Sequence, residues 1–297
     1  MDTLQGAVAV VTGAAGGIGL ALARAAQARG ASLVISDIRP DALEAARESL
    51  AAGGEVLAVI CDVASAESVE AMASAAVERF GRVNLLVNNA GVFASGLTWE
   101  VSRAEYDWVI DVNQKSVING IRAFVPRMIA QGDPCHVVTI ASGAAITVNP
   151  GFATYSMTKH AVLALTEALY LDLAAQKIGN IGVTVAMPGM TRSGIMQPEK
   201  TGPDALQTEL AARQDNRVLG SLEALMRAGV DGGLPAEDLA DMVLDAVARR
   251  SLYVLPAFSD ETNRAFATAV GVGRATGENP YPEIVQGFLQ TLEQIQA

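Results

Sequence analysis

Apolar runs recur along this chain at 7–11, 31–36, 56–61, 85–87, 136–140 and 182–186, each leading through a turn into a helix-like stretch. Within a run the residues do not alternate between apolar and polar, as they would on a sheet with one wet face. Strands of that kind are buried on both sides, which calls for parallel pairing with helices packed above and below. A seventh run at 252–255 follows a helix predicted over 235–250. There Glu237, Asp238 and Asp241 precede Arg249 and Arg250, the charge order that suits a helix dipole.

The first run ends in Thr12-Gly13-Ala-Ala-Gly16-Gly17-Ile18-Gly19, immediately before an alanine-rich helical stretch. Glycines between a strand and a helix permit a tight turn and close backbone approach, and the helix N-terminus attracts a pyrophosphate. Gly13, Gly17, Ile18 and Gly19 therefore read as a dinucleotide cradle. The fold class that follows is α/β: a single Rossmann-type, doubly wound domain with a seven-stranded, mostly parallel sheet and helices on both faces. Residues 1–255 are assigned to it, with a substrate loop inserted at 191–234, and residues 256–297 to a C-terminal extension.

Asp37 closes the second strand, where a carboxylate accepts hydrogen bonds from ribose hydroxyls and repels a 2′-phosphate. The expected cofactor is NAD rather than NADP, although Arg39, two residues on, would tolerate the phosphate. Asp62 and Val63 follow the third strand and are read as adenine contacts, with helix capping as the rival role of Asp62. After the fourth strand, Asn88 is expected to brace the sheet, while Asn89, Ala90 and Gly91 let the cofactor approach.

Tyr155 and Lys159 stand four residues apart in a predicted helix over 154–176, so they share one face. An ammonium one turn from a phenol favours the phenolate and pulls its pKa from about 10 toward neutrality. The pair is a plausible acid/base unit, although the same spacing also arises in helices with no catalytic role.

In their order and spacing, Thr12 to Gly19, Asn88 to Gly91, Ser142, Tyr155 with Lys159, and Pro188-Gly189 resemble the classical short-chain dehydrogenases/reductases. The resemblance extends over residues 7–255. It implies that Tyr155 exchanges a proton with a substrate oxygen, that Lys159 lowers the tyrosine pKa and holds the nicotinamide ribose, and that Ser142 hydrogen-bonds the substrate. It also assigns Asn113 to a proton-relay water. Pro188 and Gly189 would border the nicotinamide, with its carboxamide bound by Thr191 or by Ser193, which stands where the family often has threonine.

The implied activity is NAD-dependent interconversion of a secondary alcohol and a ketone. The expected pocket wall is Phe93, Ala144, Ile146, Phe152, Met190, Ile195 and Met196. It is mostly apolar, which points to a hydrophobic alcohol or ketone, with a bulky benzylic one among the candidates. The contrasting reading is a catalytically silent NAD-binding regulator or scaffold of the same fold.

Net charge is −11, which disfavours a nucleic-acid or polybasic membrane surface. Cys61 and Cys135 are too few for a disulfide framework, and no histidine–acid cluster suggests a metal. With no leader-like or membrane-length apolar segment, the expected location is the cytoplasm. The C-terminal extension is expected to be helical; it contains Gly271, Gly273, Gly277, Pro280 and Pro282 and then a final amphipathic helix near 282–295. The helix bearing Tyr155 carries Ala161, Leu165, Ala168, Leu169 and Leu173, more apolar surface than one core face needs, and a homodimer or homotetramer is expected.

Overall fold

The computed structural model describes residues 4–197, 202–203, 205–206, 217–282 and 285–286. Its centre is a sheet of β1 (Val8–Thr12), β2 (Ser32–Asp37), β3 (Val56–Ile60), β4 (Leu85–Asn88), β5 (Cys135–Ile140), β6 (Ile181–Ala186) and β7 (Tyr253–Val254). The strand order is β3-β2-β1-β4-β5-β6-β7, and every pairing is parallel. Four of these strands, β1, β4, β5 and β6, are buried throughout, which is why they read as unbroken apolar runs. The order reverses between β1 and β4, and the crevice outside the carboxyl ends of those strands is where an open α/β sheet binds its ligand.

Helices α1 (Gly17–Ala28), α2 (Pro40–Leu50) and α8 (Ala236–Arg249) cover one face. On that side Leu22, Leu43 and Leu239 meet Leu33, Ile35 and Leu85 in one apolar cluster. The other face is covered by α3 (Ala66–Phe80), α5 (Ser116–Gln131) and α6 (Ala153–Ala175), with Met72, Phe124 and Leu169 on Val10, Val34 and Leu86. Helix α4 (Arg103–Ile110) runs into α5 through a single π-turn, Asp111–Lys115. Such wide turns recur at functional sites because they re-aim one side chain. Here the turn carries Asn113.

Beyond β6 lie α7 (Arg217–Asp231), then α8 and β7, and then α9 (Glu261–Thr276). The C-terminal extension is helical, as expected, and its glycines end and pack that helix. Gly277 is a left-handed C-terminal stop, and Asp260 caps the N-terminus by accepting from the Asn263 N–H. Gly273 is a packing notch, since a Cβ there would lie 2.7 Å from Glu278 O and 2.8 Å from Pro280 Cδ. The helix expected near 282–295, with Ile284, Phe288, Leu292 and Ile295, lies almost entirely outside the described residues.

On α6, Leu169 and Leu173 face the core and Leu165 is half-buried. The surface that α6 leaves open is instead a stripe of Met157, Ala164, Ala168 and Leu171, with Leu171 63% exposed. Among the described residues no helix is long and apolar enough to cross a membrane.

Candidate active site

One cleft of about 1350 Å³ runs across the carboxyl edge of the sheet, from Asp37 at one end to Phe266 at the other. That is more than the 300–1,000 Å³ typical of a single small-ligand pocket, so it has room for a dinucleotide and a second molecule.

At the dinucleotide end the loop after β1 turns on Gly13 and Gly17, both at positive φ (64° and 52°), where a side chain would be strained. A Cβ at Gly13 would lie 2.9 Å from Ala90 Cα. The loop is braced by Asn89, whose Nδ2 donates to Thr12 O (2.8 Å) and Gly13 O (3.2 Å). Asn88 does not share that task. Its side chain is buried against Gly120 on α5. Thr12 Oγ1 completes the brace by accepting from the N–H groups of Asn89 and Ala90.

Asp37 is nearly buried, and four N–H groups converge on it. Its Oδ1 accepts from Arg39 N (3.1 Å) and Nε (2.9 Å), and its Oδ2 from Ala15 N (3.2 Å) and Arg39 Nη2 (3.2 Å). These contacts fix the carboxylate at the end of β2, and the Arg39 guanidinium is paired with it. Asp62 lines the cleft with Val63 and closes its own turn by accepting from Ala64 N (2.9 Å). It does not cap α3; Ser65 does, accepting from Ser68 N.

At the centre, Tyr155 and Lys159 lie one turn apart on α6, 9% and 4% exposed. Lys159 Nζ donates to Ile140 O (3.0 Å) and stands 5.5 Å from the tyrosine ring centre. Burial pushes Lys159 down to about 8 and Tyr155 up to about 12, the Ser142 hydroxyl beside the phenol working against the latter. Both shifts favour the neutral form of the group, as burial does.

Asn113 is buried and is turned toward the backbone. Its Oδ1 accepts from Val92 N (2.7 Å), and its Nδ2 donates to Val92 O (2.9 Å) and Thr158 Oγ1 (3.2 Å). The side chain thus pins the strand-end loop to α6. Thr191 is buried with its hydroxyl on Gly189 O (3.3 Å), whereas Ser193 lies against Gly17. Both border the cleft with Pro188, Gly189, Ala90, Gly91, Ile18 and Gly19.

The far end is apolar. Phe93 meets Phe152 and Tyr155 edge-on, with ring centres 5.0 and 5.2 Å apart. Met196 and Val230 complete this cluster, with Ala144, Ile195 and Met226 packed on it. Met190 borders the cleft as expected, but Ile146 does not; it packs beside Val162 and Val185 instead. Sequence reasoning missed Met226 and Val230 on α7, and Phe258, Asn263 and Phe266 in the C-terminal extension. The position of Phe258 just past β7, at the carboxyl edge of the sheet, was the available signal for the last group. Helix α7 is held by its Glu223, which accepts from the Ser95 hydroxyl. Among the described residues no group of acids, histidines or cysteines is arranged to hold a metal. His136 is buried on Thr184 and pushed down to about 3, so it stays neutral.

Residues 7–204 match the family model of short chain dehydrogenases. The chain belongs to the short-chain dehydrogenase family. It is an NAD(P)-dependent oxidoreductase. The dehydrogenase is 41% identical over 227 residues to a 1-deoxy-11-beta-hydroxypentalenate dehydrogenase of Streptomyces avermitilis, covering 73% of this chain and 83% of that one. It is 32% identical over 258 residues to a C alpha-dehydrogenase of a Sphingobium species, covering 86% of this chain and 82% of that protein. A short-chain dehydrogenase/reductase from Burkholderia phymatum, crystallised in complex with NAD, superposes with a TM-score of 0.87 at 36% identity, covering 94% of this chain and 98% of that one.

The depressed Lys159 makes a stability prediction for the dehydrogenase. Its folded-state pKa lies below the unfolded one, so below about 8 the folded protein carries the full cost of a buried charge. That cost fades as pH rises, because the unfolded chain then binds more protons than the folded one. Lys159→Met, which removes the charge and one hydrogen bond, should therefore be at least as stable as wild type at pH 7. The gap should be on the order of 2 kcal/mol, from roughly 3 of relieved desolvation less about 1 of lost hydrogen bond. It should shrink between about pH 8 and 10 in denaturant melts. Above that range Tyr155, shifted the opposite way, loses stability with pH in both proteins. A Met variant less stable than wild type, by an amount independent of pH, would contradict the burial argument.

Proposed function

We propose that the protein uses NAD to interconvert a hydrophobic secondary alcohol and its ketone, with alcohol oxidation the favoured direction, and that Tyr155 moves the proton. The observation that carries this reading is the buried phenol with Ser142 and Lys159 beside it, facing an apolar wall that begins at Phe93 and Phe152. The residues fit the cofactor: an open glycine loop at the start of α1 suits a pyrophosphate, and Asp37 at the end of β2 suits a ribose diol. When bound, NAD supplies the acceptor for the hydride.

The chain's own residues do the rest. Ser142 donates to the substrate oxygen and holds it against Tyr155 Oη. The phenol, once deprotonated, takes the hydroxyl proton, and Lys159 stabilises the phenolate and hydrogen-bonds the nicotinamide ribose. Asn113 keeps Val92 and Thr158 in place and so acts as a positioning residue behind Lys159. Ser193 or Thr191 binds the carboxamide. The apolar wall excludes water and favours a bulky alcohol, such as a benzylic one, over a sugar or phosphate ester. The relatives' names, dehydrogenases of a pentalenate derivative and of a C alpha position, agree with a large organic alcohol. A silent scaffold would have no need to keep Asn113, Ser142, Tyr155 and Lys159 gathered at one site.

Two further parts of the reading concern surroundings. We place the enzyme in the cytoplasm, in keeping with two buried free thiols. We also infer a homodimer or homotetramer, paired through the α6 stripe of Met157, Ala164, Ala168 and Leu171 and the neighbouring Ile129 of α5, which is 42% exposed. A monomer in light scattering at micromolar concentration would refute this assembly.

Tyr155→Phe should bind NADH as wild type does, followed by fluorescence titration. Its turnover of a hydrophobic secondary alcohol should fall on the order of 10³-fold or more. Near-normal turnover would remove Tyr155 from the chemistry.

Cofactor choice has its own test. Wild type should show the higher kcat/KM with NAD, because Asp37 repels the 2′-phosphate and engages the one nearby guanidinium that would welcome it. Asp37→Ala frees Arg39 and should narrow or invert the ratio. A wild-type preference for NADP would overturn the assignment.

A further inference from the structure

The C-terminal extension begins inside the cleft. After β7 a single 3₁₀ turn, Pro256–Phe258, packs against both the loop of Ser142 and the loop of Pro188. Ala257 N donates to Met187 O (3.2 Å). The passage depends on two missing side chains. A Cβ on Gly143 would stand 2.9 Å from Ala257 Cβ and 3.7 Å from Phe258 Cζ, and one on Gly189 would stand 3.1 Å from Ala257 Cα. Gly143 and Gly189 directly follow Ser142 and Pro188, so the turn is fitted against both loops that border the reacting atoms.

Two aromatic rings of this segment, Phe258 and Phe266, line the same cleft as Phe93, Phe152 and Tyr155, and both are only half-buried. The segment is held rigidly. Arg264 Nη1 donates to Phe258 O (3.2 Å) and Ser259 O (2.8 Å), tying the turn to α9. Further along α9, Arg274 donates to Ile146 O (3.2 Å) and meets His160 Nε2 at 3.3 Å. The other ring nitrogen of His160 lies 2.9 Å from Ser156 O, which can only accept. Nδ1 therefore carries the hydrogen, and Nε2 offers its lone pair to Arg274. The extension is thus fastened to α6 one residue beyond Lys159.

We propose that residues 257–266 form a specificity-determining subsite, in which Phe258 and Phe266 receive an aryl group of the substrate remote from the reacting carbon. This rests on the reading of the enzyme as a dehydrogenase of hydrophobic alcohols and extends it to a two-lobed substrate. One lobe sits at the Phe93–Phe152 pair beside Tyr155, and the second at the extension. Partly covered aromatic faces, held in place by backbone-directed arginines and opening on a cleft, suit a flat apolar group by offset or edge-on stacking. The arginines hold the wall and do not touch substrate.

The test is binding without turnover. Calorimetry on the wild-type enzyme saturated with NADH gives dissociation constants for 1-phenylethanol and 1,2-diphenylethanol, which the reduced cofactor cannot oxidise. The two-ring alcohol should bind at least about tenfold more tightly, and the preference should collapse to within about threefold in Phe258→Ala and in Phe266→Ala. Phe266→Trp, which fills the subsite, should weaken the two-ring alcohol selectively. NADH affinity should be the same in all of them, which a general loosening of the fold would not allow. No preference in wild type, or a preference that survives both alanine variants, overturns the subsite. Failure of the underlying reading would show separately, as absence of any alcohol-dependent NAD reduction by wild type.

Discussion

A lysine ammonium buried at the carboxyl edge of the sheet, donating to the backbone carbonyl of Ile140, is the constraint around which this structure is arranged. Burying a charge is costly unless it is well paired, and the 3.0 Å bond from Lys159 to Ile140 O offsets only part of that cost. The parallel sheet offers that carbonyl because β5 ends there. The π-turn at the start of α5 turns Asn113 inward to lock Val92 and Thr158, which closes the space behind the lysine. The same low-dielectric setting lifts the Tyr155 phenol. In the proposed mechanism a bound positive nicotinamide would favour the phenolate and so oppose that lift.

The sheet, its order of elements and most of the site were legible because they rest on local rules. Unbroken apolar runs report strands buried on both faces, and Gly13 to Gly19 report a turn that only glycines can make. A four-residue spacing reports one helix face for Tyr155 and Lys159. What escaped depended on distant contacts. Ile146 is apolar and near Ser142 in sequence, yet it turns to Val162 on α6. That Asn89 braces the glycine loop depends on the chain leaving β4 with the second asparagine pointing at Thr12. Leu169 and Leu173 look like free surface in a helix with apolar residues on several sides, and only the packed sheet shows that they face inward. No local pattern signals that Gly273 leaves room for the chain to fold back past Pro280.

The cleft also shows how one scaffold divides its tasks. The half beneath β1 to β3 is built from backbone and short side chains, which suits a cofactor common to a whole family. The other half is assembled from α7, the loop after β6 and the extension after β7, segments free to vary without disturbing the sheet. Fastening those segments through Ser95–Glu223 and Arg274–His160 keeps the variable half in a fixed relation to Tyr155.

In the free enzyme burial favours the protonated Tyr155 phenol, and in the proposed mechanism the positive charge of bound NAD reverses this. Tyrosinate absorbance, taken as the difference between wild type and Tyr155→Phe at about pH 9, reads the ionisation of this one phenol. The account predicts no signal in the free enzyme and the appearance of about one tyrosinate per chain on saturation with NAD, but not with NADH. A tyrosinate already present in the free enzyme, or none after NAD is bound, would contradict it.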